Sequence, residues 1–201
     1  MIGQIGPLVQ GAGQRARVTL PHLAGGIIGG AVAGIALGWA GTVVRAVTGQ
    51  QSWLVGASLA LAAICVVAGL ADLGILPVEL LRDRNRQTPK NWQCVLGVPG
   101  ASFAWGADLA LAVSTRISYQ ALLVVPVAAL LAPTFAAAVA VMATFGLTRA
   151  GVAVLGSLTT SDVGARTSAI DAHYQMFRRL AGAGSLMLAA VLAGAAVGAG
   201  G

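Results

Sequence analysis

A chain of 201 residues that is 57% hydrophobic and only 9% charged cannot cover itself in polar surface, since soluble domains carry about 25% charged residues. With a mean hydropathy of +0.85, the composition predicts an integral membrane protein and excludes a water-soluble enzyme. The net charge of +6 does not imply nucleic acid: basic residues at span ends set topology and touch anionic lipid, and no basic stripe with interleaved aromatics is present.

The predicted class is all-α. The 28 glycines and abundant alanines suit helices that approach closely in lipid, and no alternating segments of barrel type are seen. Residues 1–22 read as a polar tail or surface helix, with no charged start and apolar core of a cleavable signal peptide. Residues 23–201 read as one transmembrane helical bundle. The first span runs from about Leu23 to Val47 and carries Gly26, Gly30, Gly34 and Gly38 at steps of four, a ridge that calls for a helix partner.

The second span is expected from about Trp53 to Leu81, with Asp72 and Glu79 in its second half and Pro77 between them. A basic loop at residues 82–93 follows, carrying Arg82, Arg84, Arg86 and Lys90. The positive-inside rule makes this loop cytoplasmic and, with Arg15 and Arg17, puts the N-terminus on the same side.

The third span is expected from about Cys94 to Val113. The next apolar stretch, Ile117 to Leu158, is twice the length a span needs. It is expected to divide at Ala132–Pro133, with a kink at Pro126. Residues 161–179 have Ile170, Tyr174 and Phe177 on one face and read as an amphipathic helix lying on the membrane surface. A last span of small residues covers about Leu180 to Ala199. The expected count is six spans, or five if the long stretch does not divide.

Soluble-enzyme motifs are absent: the sequence has no P-loop, no GxGxxG after a strand, no HExxH and no GxSxG. No metal site and no organic cofactor are predicted, because His22 and His173 are far apart, lack nearby ligands and sit near span ends, where they read as interfacial histidines. The sharpest chemical candidate is Asp108, in "FAWGADLALAVSTRISYQ". A carboxylate in the bilayer interior costs about 2.5–3.5 kcal/mol on insertion scales, so it should be neutral, paired or facing a wet cavity.

On an ideal helix Thr115 shares the face of Asp108, while Arg116 is turned by about 80° and lies about 12 Å further along. Arg149, in "ATFGLTRAG", is then the expected partner of Asp108, an arrangement neutral overall and tolerable in lipid. Asp72 is a second buried acid, either above a helix opened by Gly74 and Pro77 or at a span end. Cys65 and Cys94 fall at depths roughly 24 Å apart, too far for a disulfide, which needs Cα atoms within about 7 Å.

The pattern of two spans, a basic loop "RQTPKNW", a span ending "WGADLALAVSTRISY" and a hairpin ending "FGLTRAG" resembles the CcdA-like membrane proteins of cytochrome c biogenesis and transmembrane thiol–disulfide electron transfer. About a third of the chain, from Arg86 to Gly151, carries the resemblance. It implies a six-span inverted-repeat bundle passing reducing equivalents from a cytoplasmic thioredoxin to an extracytoplasmic acceptor. That family works through two membrane-embedded cysteines, usually beside prolines. Here Pro99 and Pro126 have no neighbouring cysteine, so no redox role carries over, and Cys65 and Cys94 stand only as the thiols available.

The functional expectation is a small transporter-like protein of the cell membrane, moving a small solute or ion. Asp108 would contact the solute, with Arg149, Asp72 and Thr115 beside it. Two alternatives stand: a non-catalytic subunit whose glycine ridge packs against a partner subunit or a second copy, and a thiol–disulfide electron carrier that needs Cys65.

Overall fold

The computed structural model describes residues 12–77, 92–111, 119–159 and 163–200. Every regular element among them is helical: α1 (Ala12–Thr48), α2 (Gln50–Asp72), α3 (Trp92–Leu111), a 3₁₀ turn (Gln120–Leu123) leading into α4 (Val124–Leu130), α5 (Phe135–Thr159) and α6 (Val163–Gly200). Helices are the only open-ended structure that satisfies each backbone N–H and C=O within lipid. Five helices have segments long and apolar enough to cross a membrane: Arg15–Thr48, Trp53–Asp72, Trp92–Leu111, Phe135–Leu155 and His173–Val197.

Polarity is distributed as lipid demands. Large apolar side chains point outward, among them Trp39, Val47, Met187 and Val191, while much of the interior is alanine. A protein folded in water buries its large apolar residues; here the small ones are buried because close helix contact, rather than expulsion from water, drives packing.

The chain divides into two compact units, and α1, α5 and α6 contribute to both. The first unit is drawn from Met1–Ala33, Arg84–Arg116 and Met142–His173. Within it α1 packs against two helices at once. A methyl group on Gly25 or Gly29 would strike the backbone of Phe103 or Ala107 in α3, and one on Gly26 or Gly30 would strike Gly146, Met142 or Ala143 in α5. Rising numbers on α1 meet rising numbers on α3 and falling numbers on α5, so α3 runs parallel to α1 and α5 antiparallel. Inside α3, Gly97 takes φ 66 and ψ 174, a left-handed conformation suited to glycine. It kinks the helix two residues before Pro99.

The second unit is drawn from Gly34–Asp83, Ile117–Val141 and Tyr174–Gly201. One residue, Gly49 at φ 81, separates α1 from α2, a corner that a side chain would strain. α2 runs antiparallel to α6: Gly69 lies against Gly182 and Leu186, and Ala62, Cys65 and Ala68 share a core with Ala189 and Val124. α2 ends as a Schellman motif: Gly74, at φ 78, donates its N–H to Ala71 at 3.1 Å, and the Ile75 N–H reaches the Leu70 carbonyl at 2.9 Å.

Three expected boundaries lie elsewhere in the structure. α1 begins at Ala12 and runs without a break through the limit placed at residue 22. α2 stops at Asp72, well short of Leu81. Residues 161–179 do not form a helix separate from the last span, because α6 continues from Val163 to Gly200.

The apolar stretch 117–158 does divide near Pro133, where the Thr134 hydroxyl accepts the Ala137 N–H at 3.1 Å and caps α5. Its first part, however, is the short apolar helix Gln120–Leu130, about half a bilayer long at 1.5–2 Å per residue. Among the described residues the long apolar helices number five, within the expected five or six spans. Pro126 sits in the first turn of α4, where its missing N–H costs little.

Candidate functional site

Asp72 in the second unit and Asp108 in the first lie on helices that pack against others, and the two are handled differently. In the second unit Asp72, 2% exposed, ends α2 and faces the start of the 3₁₀ turn. One carboxylate oxygen accepts the Gln120 N–H at 2.8 Å and the other accepts the Ala121 N–H at 2.8 Å. Arg178 of α6 approaches the first oxygen at 3.7 Å through Nε. The same guanidinium donates from Nη2 to the Ala71 carbonyl at 2.7 Å, an acceptor it shares with the Gly74 N–H of the helix end.

Each partner reaches its place for a local reason. The Gly74 turn stops α2 at Asp72, and the unbroken run of α6 carries Arg178 alongside. The two amides belong to the first residues of the 3₁₀ turn, where N–H groups have no helical acceptor. Tyr119, just before them, stacks on Tyr174, one turn ahead of Arg178, with ring centroids 5.8 Å apart. Burial pushes the Tyr119 phenol up, and Tyr174 and Asp72 push it the same way, so it remains a neutral hydroxyl beside the ion pair.

In the first unit Asp108 is only partly buried. It lies on α3 within electrostatic reach of Arg149 on α5, whose guanidinium sits over the Phe145 ring at 5.5 Å, one turn back. That stacking is a cation–π contact. Thr115, expected on the face of Asp108, lies outside the described residues, as do Glu79, the basic residues of the 82–93 loop and Arg116.

The remaining expected residues are scattered. Cys65 is fully buried in the alanine-rich core of the second unit, while Cys94 is exposed at the start of α3, and both are free thiols. Gly26, Gly30, Gly34 and Gly38 are buried. For Gly26, Gly30 and Gly38 the facing helix is α5 of the same chain, so the ridge finds its partner internally. Among the described residues no group of three or more His, Cys, Asp or Glu could hold a metal ion.

Sequence reasoning did not assign Arg178 to Asp72, because a helix lying on the membrane surface would keep that arginine away from α2. It also read His22 as an interfacial residue, whereas His22 is 2% exposed. Its Nδ1 lies 3.1 Å from the Ser102 carbonyl; that oxygen can only accept, so Nδ1 carries the hydrogen. The Ser102 hydroxyl donates to the Val18 carbonyl at 2.6 Å. These reciprocal bonds join α1 to α3, and polar bonds of this kind hold helices together in lipid. Comparison with known proteins returns nothing: no family model, no curated protein and no solved structure matches the chain.

Proposed function

We propose that this chain is a small multi-pass transporter-like protein that moves a small solute or ion across a cell membrane, with Asp108 and Arg149 as the groups that meet it. The observation that carries this reading is the contrast between the two acids. Asp72 has an amide on each oxygen and a guanidinium beside it, so its charge is already matched by the fold. Asp108 keeps part of its surface open next to an arginine. Ionisable groups on membrane-spanning helices face a bundle interior or a wet cavity, and they mark solute pathways more often than packing. Adjacent positive and negative groups suit a solute that is a cation, an anion or a zwitterion of small size.

A five-span arrangement supports one orientation. Arg15 and Arg17, the basic loop 82–93 and the arginines at positions 166, 178 and 179 then all fall on the side of the N-terminus, and the positive-inside rule makes that side cytoplasmic.

The test is labelling of a cysteine at position 108, Asp108→Cys in a Cys65→Ala, Cys94→Ser background, with a small membrane-impermeant maleimide in native membranes. Labelling, together with normal assembly of Asp108→Asn, supports a water-reached working site. A position 108 that stays unlabelled while Asp108→Asn fails to assemble would sink the reading and leave a structural pair.

The accessory-subunit reading draws support from a different surface. Gly184 and Gly194 of α6 face open space, and small residues on an outward helix face admit a neighbouring helix. Gly184→Leu should leave the chain folded and release any co-purifying membrane subunit. A thiol-carrier role finds less support, because Cys65 is enclosed by alanine and valine and thiol exchange needs an accessible thiolate.

A further inference from the structure

We propose that the Asp72 carboxylate is the releasable latch of a movable segment, Tyr119–Ala132, in the second unit. The segment runs antiparallel to α2, from Asp72 at one end to the far end of α1 at the other. Three features set it apart from the long helices around it.

Its start is tied to the Asp72 carboxylate. Gln120 and Ala121 direct their N–H groups to Asp72, and the 3₁₀ turn that begins there has poorer hydrogen-bond geometry than an α-helix. Its far end is pinned. The Arg45 guanidinium donates to the Ala132 carbonyl and, at 2.9 Å, to the Thr42 hydroxyl. Gly41 lies against Leu130, and Pro133 follows at once.

Its flank has room. A shallow apolar cavity of about 370 Å³, open to the surface, lies between Ala63, Ile64 and Val67 of α2 and Leu123 and Val127 of the segment. A latch, a pivot and a space on one side are what a hinged element requires.

Drawing the carboxylate away frees two amides at once, and the Tyr119 end then swings toward the cavity about Ala132. Arg178 keeps its bond to the Ala71 carbonyl, so α2 and α6 stay joined while the segment moves. Tyr119 leaves its stack on Tyr174 in the same step. For its purpose, opening a path beside α2, the device rests on the transport reading. Its test does not, so labelling at position 108 and the result below can fail independently.

Amide hydrogen exchange on the full chain in lipid nanodiscs reads the latch directly. Asp72→Asn should speed exchange at residues 119–123 by about tenfold or more, the change expected when a local opening becomes cheaper by a single hydrogen-bonded charge. Peptides from residues 53–68 and 183–197 should speed up less than residues 119–123, by no more than the loss of global stability allows. Filling the cavity with Val127→Phe in the Asp72→Asn chain should restore much of the protection at 119–123. Exchange that is unchanged in Asp72→Asn, or that rises equally in all three regions, overturns the proposal. So does a Val127→Phe chain that gives no protection back.

Discussion

Asp72 and Asp108 lie on apolar helices of similar length, yet the chain surrounds them with different chemistry. Asp72 terminates its helix and meets backbone amides, a guanidinium and two stacked tyrosines. Asp108 lies within α3, partly open, with Arg149 as its electrostatic partner and Phe145 under that arginine. A buried charge is tolerated only when matched, and the difference lies in what does the matching. Around Asp72 the backbone supplies two of the partners, so geometry is shared among three elements. Around Asp108 the partner named is a side chain, and side chains can be exchanged for a ligand at smaller cost to the fold.

The comparison can be broken by removing each acid in turn. The largest effect is expected for Asp72→Ala, which strands Arg178 and two amides; breaking a buried pair in this way costs about 3–5 kcal/mol. Reversible unfolding in mixed micelles measures it. Arg178→Ala should cost less, about 1–3 kcal/mol, since the carboxylate keeps both amides and the Ala71 carbonyl keeps the Gly74 N–H while losing the guanidinium. A loss for Arg178→Ala equal to that for Asp72→Ala would show that the ion pair, not the amide cradle, dominates.

Smaller effects sharpen the contrast. Gly49→Ala should cost about 1–2 kcal/mol, because φ 81 is unfavourable for a residue with a Cβ; it loosens the second unit without touching either acid. Tyr119→Ala should cost about 0.5–1.5 kcal/mol, the worth of an aromatic pair, and Tyr119→Phe should cost less. Asp108→Asn should change stability by less than about 1 kcal/mol, as for partly exposed pairs.

Much of the frame was legible in the residues alone. Composition dictates helices in lipid, and the glycines at steps of four announce a close helix contact, which α5 supplies together with its own Gly146. Gly74 and Pro77 read either as opening a span that runs on to Leu81 or as marking a span end, and the Gly74 turn ends α2 at Asp72. The expectation that Asp108 and Arg149 belong together rests on the scarcity of charge: two opposite charges in apolar surroundings seek each other.

What was hidden depends on distant packing. Hydropathy sums apolar residues without knowing their depth, so residues 120–130 look like half of a full hairpin. Their short length shows only when Asp72 and Arg45 hold the two ends. The periodicity of residues 161–179 is that of a surface helix, and nothing in it reveals that α6 continues unbroken and brings Arg178 to α2. His22 looked interfacial because its single bond to α3 spans eighty positions.

The most direct test sets the two acids side by side: the unfolding free energies of Asp72→Asn and Asp108→Asn, measured in the same lipid bicelles. If Asp72 holds the fold and Asp108 serves the solute, Asp72→Asn loses at least about 2 kcal/mol more than Asp108→Asn, which stays near wild type. Equal losses, or a larger loss at position 108, would contradict that division of labour.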